Sequence, residues 1–298
     1  MPVREVEGVI PAMITPFKKN EDIDFDGLRE LTRFLVENGV HGLLPAGTTG
    51  EGHLMTFEEV QEVTKAVLDE VNGKVPVVGN ASSPGTAIAA KRAKALEDLG
   101  CELIMAAPPY YLVPQEEGII AHYKHIAEAT NLPIMIYNSP GATGVNLDSR
   151  LVELIFKAAP SCRYCKHSNV NIFIAQDVLR RCERKVKLIA GNNHIVLPIL
   201  QIGGVGMATG APNLFPKEHV EMYEAFRIGD VKKAEEIYWK FFPLYAKLFF
   251  PGVRYIERIK AALDMMNLPG GYVRKPRLPV NEQDKAEIKA ILAELTPT

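Results

Sequence analysis

The stretch from residue 132 to residue 168 reads LPIMIYNSPGATGVNLDSRLVELIFKAAPSCRYCKHS, and it indicates the fold class of the chain. Its two ends, 132–138 and 162–168, are strand-like, and the first is continuously apolar, as in strands that are buried on both faces of a parallel sheet. Between them, 148–159 has the pattern of an amphipathic helix. The stretch therefore predicts a strand–helix–strand unit of a parallel sheet.

The same alternation of strand and helix patterns continues along the chain as far as residue 228. The other strand-like runs are 8–16, 42–46, 75–80, 102–107, 186–191 and 204–209. The other helical patterns are 24–38, 56–71, 83–99, 115–130, 171–181, 194–202 and 216–228. About eight strand–helix units over this length predict an α/β fold, a (β/α)8 TIM barrel. The alternative is an open doubly wound sheet, which is disfavoured because no GxGxxG motif follows the first strand.

After residue 229 the alternation stops and only helical patterns follow. The runs 230–250, 253–267 and 282–295 predict three helices, so we assign the barrel to 1–229 and a helical C-terminal region to 230–298. The first of these helices is rich in aromatic residues. They are suited either to a subunit interface or to packing on the outer helices of the barrel, and the sequence leaves both open. These residues are Tyr238, Trp239, Phe241, Phe242, Tyr245, Phe249 and Phe250.

Composition excludes several classes of partner. The 298 residues carry a formal net charge of -2 and have a pI of about 6.4, so the chain has no basic field for a nucleic acid. The N-terminus lacks the basic-then-apolar order of a secretory signal, and no apolar run is long enough to cross a bilayer. We therefore expect a cytoplasmic protein that binds neither nucleic acid nor membrane.

Neither the cysteines nor the histidines indicate a metal site. Cys162 and Cys165 form a CxxC, but no second CxxC exists and the pair lies in a strand-like run, so we interpret them as reduced, partly buried thiols. The seven histidines show no HxxxH pattern. His122 and His125 are interpreted as helix-surface residues. We expect neither a metal nor a cofactor.

One lysine and one tyrosine fall where a barrel places its chemistry. Ligands of TIM barrels bind at the C-terminal ends of the strands, and Lys166 ends the predicted sixth strand, while Tyr137 ends the fifth. An ammonium resists burial unless it is paired or loses its proton, and a neutral lysine can form a Schiff base with a carbonyl compound. For this segment alone, a lysine that reaches solvent from a strand end is the alternative.

Other strand ends carry groups that suit a small carboxylate substrate. Residues 47–51 (GTTGE) follow the second strand, where glycines, consecutive N–H groups and two hydroxyls can hold a carboxylate. A plain glycine-rich turn is the alternative. Tyr110 and Tyr111 follow the fourth strand, and Asn192 follows the seventh. These groups predict a metal-independent site on one rim.

In these motifs the chain resembles the dihydrodipicolinate synthase / N-acetylneuraminate lyase family of class I aldolases, and the resemblance extends over essentially its whole length. The resemblance rests on Gly47-Thr-Thr-Gly-Glu51, Tyr110-Tyr111 with Gln115 and Gly118, Tyr137-Asn-x-Pro140 with Thr143-Gly144, and Lys166. It implies that Lys166 forms a Schiff base with pyruvate or another 2-oxo acid and that Tyr137 transfers protons. It also implies that Thr48 and Thr49 bind the carboxylate.

The resemblance further implies that Thr48 links Tyr137 to Tyr111 and that the protein is a homotetramer, a dimer of dimers, in which Tyr111 reaches into a neighbouring site. The site residues predicted in this way are Lys166, Tyr137, Thr48 and Tyr111 as catalytic groups, and Gly47, Thr48, Thr49, Ala142, Asn192 and Ala208 as substrate-binding groups.

One position departs from the synthase pattern. Five residues after the strand-end tyrosine, the dihydrodipicolinate synthases carry an arginine that holds the carboxylate of aspartate semialdehyde, and here that position is Ala142. Alanine cannot pair with a carboxylate, so the synthase reaction is disfavoured. The Tyr137-Asn-x-Pro-x-Ala142-Thr-Gly form instead resembles the 2-keto-3-deoxy sugar acid aldolases, and this resemblance implies an enzyme that releases pyruvate and an aldehyde. The alternatives are a 4-hydroxy-tetrahydrodipicolinate synthase, an N-acetylneuraminate lyase, a family dehydratase or deaminase, and a non-catalytic 2-oxo-acid-binding barrel.

Overall fold

The computed structural model describes residues 4–249 and 254–295, which form two compact units. The first unit comprises the residues up to Gly8 together with Pro76–Ala208, and the second comprises Val9–Val75 together with the residues from Thr209 onward. The division at residue 229 follows the change from alternating strands and helices to helices alone, and it stays a prediction.

Strands that pair in parallel lie in the first unit, and a short first strand ends at Val9 of the second. In the described part of the chain they are β1 (Gly8–Val9), β2 (Val78–Asn80), β3 (Leu103–Ala106), β4 (Ile134–Asn138), β5 (Tyr164–His167), β6 (Lys187–Ala190) and β7 (Gly206–Met207). Their order in the sheet is β1-β7-β6-β5-β4-β3-β2. Nearly all of their residues are buried, which explains why a strand such as β3 is apolar throughout instead of alternating.

The helices lie between and after these strands. Within the described ranges they are α1 (Phe25–Glu37), α2 (Phe57–Val71), α3 (Thr86–Leu99), α4 (Glu116–Ala129), α5 (Pro140–Thr143), α6 (Ser149–Ala158), α7 (Ile172–Arg181), α8 (Val196–Gln201), α9 (Pro216–Arg227), α10 (Val231–Leu244), α11 (Tyr255–Met265) and α12 (Glu282–Leu295). In the first unit, α3 packs on α4, α4 on α6, and α6 on α7. In the second unit, α1 packs on α2, α9 on α10, and α11 on α12.

A buried asparagine organises the strand-like segments of the second unit. Ala12 forms a parallel bridge with Leu44. The Nδ2 atom of Asn213 donates to the Ala12 carbonyl at 2.8 Å, and its Oδ1 atom accepts the Ile14 N–H at 3.1 Å. A buried backbone N–H or carbonyl needs a hydrogen-bond partner. The Asn213 side chain supplies such partners to Ala12 and Ile14, in place of the backbone of a neighbouring strand.

The predicted fold class, a (β/α)8 TIM barrel with C-terminal helices, is confirmed. The first two predicted strands are much shorter than expected, however. Only Gly8–Val9 of the run 8–16 is a regular strand, and the run 42–46 contributes bridging residues instead of a ladder. These runs contain Pro11, Pro16 and Pro45, which lack the N–H that a ladder requires.

The predicted helix boundaries agree best with the structure where a capping residue sets the end of the helix. The run 56–71 matches α2 to within one residue, and Thr56 and Glu59 form a capping box at its start, with the Thr56 N–H donating to Glu59 at 2.9 Å. The run 282–295 matches α12. The run 230–250 does not form one α-helix: α10 ends at Leu244 and a π-helical turn, Tyr245–Phe249, follows Pro243, which removes a helical donor.

The aromatic residues of this region divide between the core and the surface. Tyr238, Phe241 and Tyr245 are buried, whereas Trp239 is exposed. Phe250 lies outside the described residues. Packing within the chain therefore accounts for the buried aromatic residues of this region. That Trp239 lies in a subunit interface stays a prediction.

The interpretation of His122 as a surface residue is wrong. Its ring is fully buried, and its Nδ1 atom lies 3.0 Å from the Thr86 hydroxyl of the adjacent helix. Burial lowers the pKa of His122 to about 4, so the ring is neutral. The four cysteines are free and buried, as interpreted, and burial raises the pKa of Cys162 and Cys165 to about 12.

Among the described residues, the longest apolar helical segments fall short of what a membrane crossing requires.

Candidate active site

Lys166 and Tyr137 lie side by side at the carboxyl ends of two neighbouring strands in the first unit. Strands β4 and β5 pair in parallel, with Tyr137 directly opposite Lys166. Aligned residues of paired strands point to the same face of a sheet. The Nζ atom of Lys166 accordingly lies 4.6 Å from the centroid of the Tyr137 ring.

The surroundings of Lys166 favour its neutral form. The side chain is 4% exposed, and no carboxylate within the described part of the chain forms an ion pair with it. Burial lowers the pKa of the amine below its ordinary value of 10.5, and the Tyr137 phenol opposes this shift in part. A buried amine of this kind has a larger neutral, nucleophilic fraction at neutral pH than an exposed lysine.

A hydroxyl that is not among the predicted site residues follows directly after β5, where the Ser168 N–H still donates to the Asn138 carbonyl of β4. Ser168 follows Lys166 by two residues, so both belong to the same face of the strand. Its Oγ atom is buried and has no hydrogen-bond partner among the described residues. A side chain at Gly191 would lie 1.9 Å from that oxygen, so the glycine keeps the space open. The period of two along the strand was the signal that could have identified it.

Two predicted substrate-binding residues follow the ends of β6 and β7. The Nδ2 atom of Asn192 donates to the Ser168 carbonyl at 2.6 Å, which connects the end of β6 to the end of β5. Ala208 is buried, and its N–H donates to the Ala190 carbonyl at 2.8 Å, next to the end of β7. The structure thus brings both residues to the carboxyl ends of neighbouring strands.

The segment that carries Ala142 is held by the residue after Tyr137. The buried Asn138 side chain donates to the Leu147 carbonyl at 2.7 Å and accepts the Leu147 N–H at 3.1 Å. Its own carbonyl accepts the Ser168 N–H at 2.8 Å. Ala142 lies in the short helix α5 between these anchor points and is exposed.

In the second unit, residues 47–51 form a closely packed loop. A side chain at Gly50 would lie 2.8 Å from the Met13 carbonyl, so only glycine fits there. Gly47 is buried and Thr48 half-buried. Thr49 is buried, with its hydroxyl 3.3 Å from the Tyr255 hydroxyl. Glycines, N–H groups and two hydroxyls in one tight loop can bind a carboxylate.

The side chain of Tyr111 is 91% exposed, in contrast to the buried side chains of Lys166 and Tyr137. Its φ angle is 77°, in the left-handed region that a bulky residue seldom adopts. The predicted relay from Tyr137 through Thr48 to Tyr111 stays a prediction.

Comparisons with known proteins agree over the full length of the chain. The Dihydrodipicolinate synthetase family model matches residues 5–295. A 4-hydroxy-tetrahydrodipicolinate synthase of Methanocaldococcus jannaschii is 38% identical over 293 residues, covering 97% of this chain and 98% of that protein.

Solved structures give the same result. A crystal structure of a dihydrodipicolinate synthase has 38% identity and a TM-score of 0.92, and covers 97% of this chain and 99% of its own. The dihydrodipicolinate synthase of Thermotoga maritima has 31% identity and a TM-score of 0.93, and covers 98% and 99%. The chain belongs to the dihydrodipicolinate synthetase family and is a class I, pyruvate-dependent Schiff-base lyase.

Proposed function

We propose that Lys166 is the residue that forms the Schiff base with pyruvate. The observation that carries this proposal is a buried lysine that has no carboxylate partner among residues 4–249 and 254–295 and lies 4.6 Å from a tyrosine ring at the carboxyl ends of paired strands. The neutral amine attacks the C2 carbonyl, and loss of water gives an iminium. The iminium accepts the electron pair of a C3–H bond as a base removes that proton, so an enamine of pyruvate forms without a metal ion.

Tyr137 is the proposed proton-transfer group of this reaction. Its phenol is adjacent to Lys166 and can serve both the amine and the reacting oxygen of an aldehyde. By resemblance to the family, the hydroxyls of Thr48 and Thr49 bind the carboxylate of pyruvate, and Tyr111 extends the proton relay. The exposure of Tyr111 is consistent with the homotetramer that the resemblance implies.

For the aldehyde partner, the relatives favour an alternative over the main interpretation of the sequence. The Methanocaldococcus jannaschii relative is named a 4-hydroxy-tetrahydrodipicolinate synthase, not a sugar acid aldolase. We therefore propose condensation of pyruvate with aspartate semialdehyde as the first candidate reaction. Cleavage of a 2-keto-3-deoxy sugar acid is the second candidate, because the exposed Ala142 cannot pair with the carboxylate of a semialdehyde.

Two experiments test these proposals in sequence. Borohydride reduction with pyruvate, followed by peptide mass spectrometry, should give a reduced pyruvyl adduct on Lys166. A folded protein that gives no adduct at saturating pyruvate would contradict the Schiff-base assignment and support a non-catalytic binding protein. The purified protein is then assayed with pyruvate plus aspartate semialdehyde, and separately for pyruvate release from 2-keto-3-deoxygluconate.

The variant Ala142→Arg separates the two candidate reactions. An arginine here should improve kcat/KM for aspartate semialdehyde by about tenfold, which is the worth of one charge-assisted hydrogen bond. The control Ala142→Gln adds similar length without charge and should not give this gain. Equal kinetics for both variants and the parent would mean that residue 142 does not face the aldehyde.

A further inference from the structure

The second unit contains a buried ion pair that the Schiff-base chemistry does not use. The Oε1 atom of Glu51 lies 2.5 Å from the Nζ atom of Lys260, and the two side chains are 0% and 2% exposed. Glu51 is the last residue of loop 47–51 and has a φ angle of 58°, in the left-handed region. An unusual backbone conformation and a buried charge therefore coincide at one end of the loop.

A buried ion pair is a weak source of stability, because removing both ions from water cancels much of their attraction. Burial lowers the pKa of Lys260 to about 8, even though the Glu51 carboxylate opposes the shift. Apolar residues of similar volume would serve stability about as well. The ion pair makes directional contacts that fix the end of loop 47–51. An apolar pair would not supply such contacts.

The remaining polar atoms of the pair are also bound. The Nζ atom of Lys260 donates to the Tyr272 carbonyl at 2.6 Å. The Oε2 atom of Glu51 accepts the Arg274 N–H at 3.1 Å. The ring of Phe17 lies 4.4 Å from the Lys260 ammonium and 4.5 Å from the Arg274 guanidinium. The carboxylate of Glu51 is thus held from two directions.

Helix α11, which contains Lys260, contacts loop 47–51 at a second residue. The hydroxyl of Tyr255, at the start of α11, lies 3.3 Å from the Thr49 hydroxyl. Helix α11 therefore holds the loop at residue 49 through Tyr255 and at residue 51 through Lys260. Thr48 lies immediately before these two anchored positions.

We propose that Tyr255 and Lys260 are positioning residues for pyruvate, which fix loop 47–51 in the conformation that binds the substrate carboxylate. This inference rests on the proposed function, in which Thr48 and Thr49 bind that carboxylate. A loop that is held in its binding conformation before the ligand arrives loses less entropy on binding. We call the contacts Tyr255–Thr49 and Lys260–Glu51 the clamp. The clamp should affect the affinity for pyruvate and not the bond-forming step at Lys166.

The variant Tyr255→Phe tests the contact at residue 49. The pyruvate concentration that gives half-maximal borohydride trapping should rise about fivefold, the loss expected for one hydrogen bond. The trapping rate at saturating pyruvate should stay at the parent value. The control Tyr245→Phe makes the same change in a buried tyrosine of this unit, whose hydroxyl lies 2.9 Å from His219, and should leave the half-saturation concentration unchanged.

The paired variant Glu51→Gln with Lys260→Met tests the contact at residue 51. Because it removes both charges together, it leaves no unpaired ion in the core and should fold. We expect its half-saturation concentration for pyruvate to rise at least as much as that of Tyr255→Phe, with the saturated trapping rate preserved. Folded variants with the parent half-saturation concentration would overturn the clamp, as would an equal rise in the control.

The parent protein separates failure of the clamp from failure of the proposed function. No adduct on Lys166 in the parent would remove the basis of both proposals. An adduct in the parent with unchanged half-saturation in Tyr255→Phe and in the paired variant would remove the clamp alone.

Discussion

Two lysines of this chain are buried to almost the same degree, and they differ in what faces the ammonium group. Lys260, 2% exposed, contacts the Glu51 carboxylate and the Tyr272 carbonyl. Lys166, 4% exposed, faces the ring of Tyr137 and has no carboxylate partner in the described ranges. Burial lowers the pKa of both amines.

The partner therefore decides what each buried lysine can do. An amine held by a carboxylate and a carbonyl has its protons engaged in hydrogen bonds and is suited to fixing a structure. An amine beside an aromatic ring, without a carboxylate, can give up its proton and attack a carbonyl. Burial by itself does not distinguish a structural lysine from a reactive one.

Replacing Lys166 should have the largest effect on activity and little effect on folding. Lys166→Met removes the only atom proposed to bond to pyruvate, so adduct formation and turnover should fall to background. Methionine fills similar space without a desolvated amine, so the free energy of unfolding should stay equal or rise. Mass spectrometry after borohydride treatment and urea denaturation measure the two effects. Residual turnover near the parent level would remove the distinction between the two lysines.

Removing the phenol beside Lys166 should lower the rate without greatly changing pyruvate binding. Tyr137→Phe keeps the ring next to Nζ but loses the hydroxyl, so kcat should fall about a hundredfold or more, as expected when a proton-transfer group is lost. KM for pyruvate should change far less, because proton transfer belongs to the transition state. Steady-state kinetics test this expectation. A change confined to KM would show that Tyr137 only shapes the pocket.

Replacing Lys260 should mainly destabilise the fold. Lys260→Met leaves the Glu51 carboxylate buried without its cation, which costs about 3–5 kcal/mol in the free energy of unfolding. Urea denaturation should show this loss, and adding Glu51→Gln should restore most of it. The sign is opposite to that expected for Lys166→Met. Equal destabilisation by both lysine variants would mean that Lys166 has a stabilising partner after all.

Features that depend on residues close together in the sequence could be predicted from it. The capping box at Thr56 and Glu59 sets the start of α2, and the predicted start at residue 56 is accurate to one residue because both partners lie within one turn. Lys166 could be selected because a lysine in a strand-like run conflicts with burial. Its place on the same rim as Tyr137 followed from the position of both residues at predicted strand ends of a barrel.

Contacts between distant parts of the chain were not predictable in the same way. Glu51 and Lys260 are far apart in sequence, and neither stands out in its own segment: Glu51 ends a glycine-rich motif and Lys260 lies in an ordinary amphipathic helix. His122 was misassigned for the same reason, because its partner Thr86 belongs to another helix. The prolines of 8–16 and 42–46 were visible in the sequence, and they should have shortened those predicted strands.

The pH dependence of adduct formation gives the finest comparison of the two lysines. Because burial lowers the pKa of Lys166, the neutral fraction, and with it the trapping rate, should rise about tenfold per pH unit and level off below pH 10.5, the ordinary pKa of lysine. Between the lowered pKa of Lys166 and pH 10.5, where the rate has levelled off, the unfolded state binds more protons, so Lys166 makes the free energy of unfolding increase with pH in that range. The paired variant Glu51→Gln with Lys260→Met should level off at the same pH as the parent, because Lys260 takes no part in the chemistry. A shifted profile would show that the two amines are coupled, whereas a rate still rising above pH 10.5 would mean that the reacting amine is not a buried one.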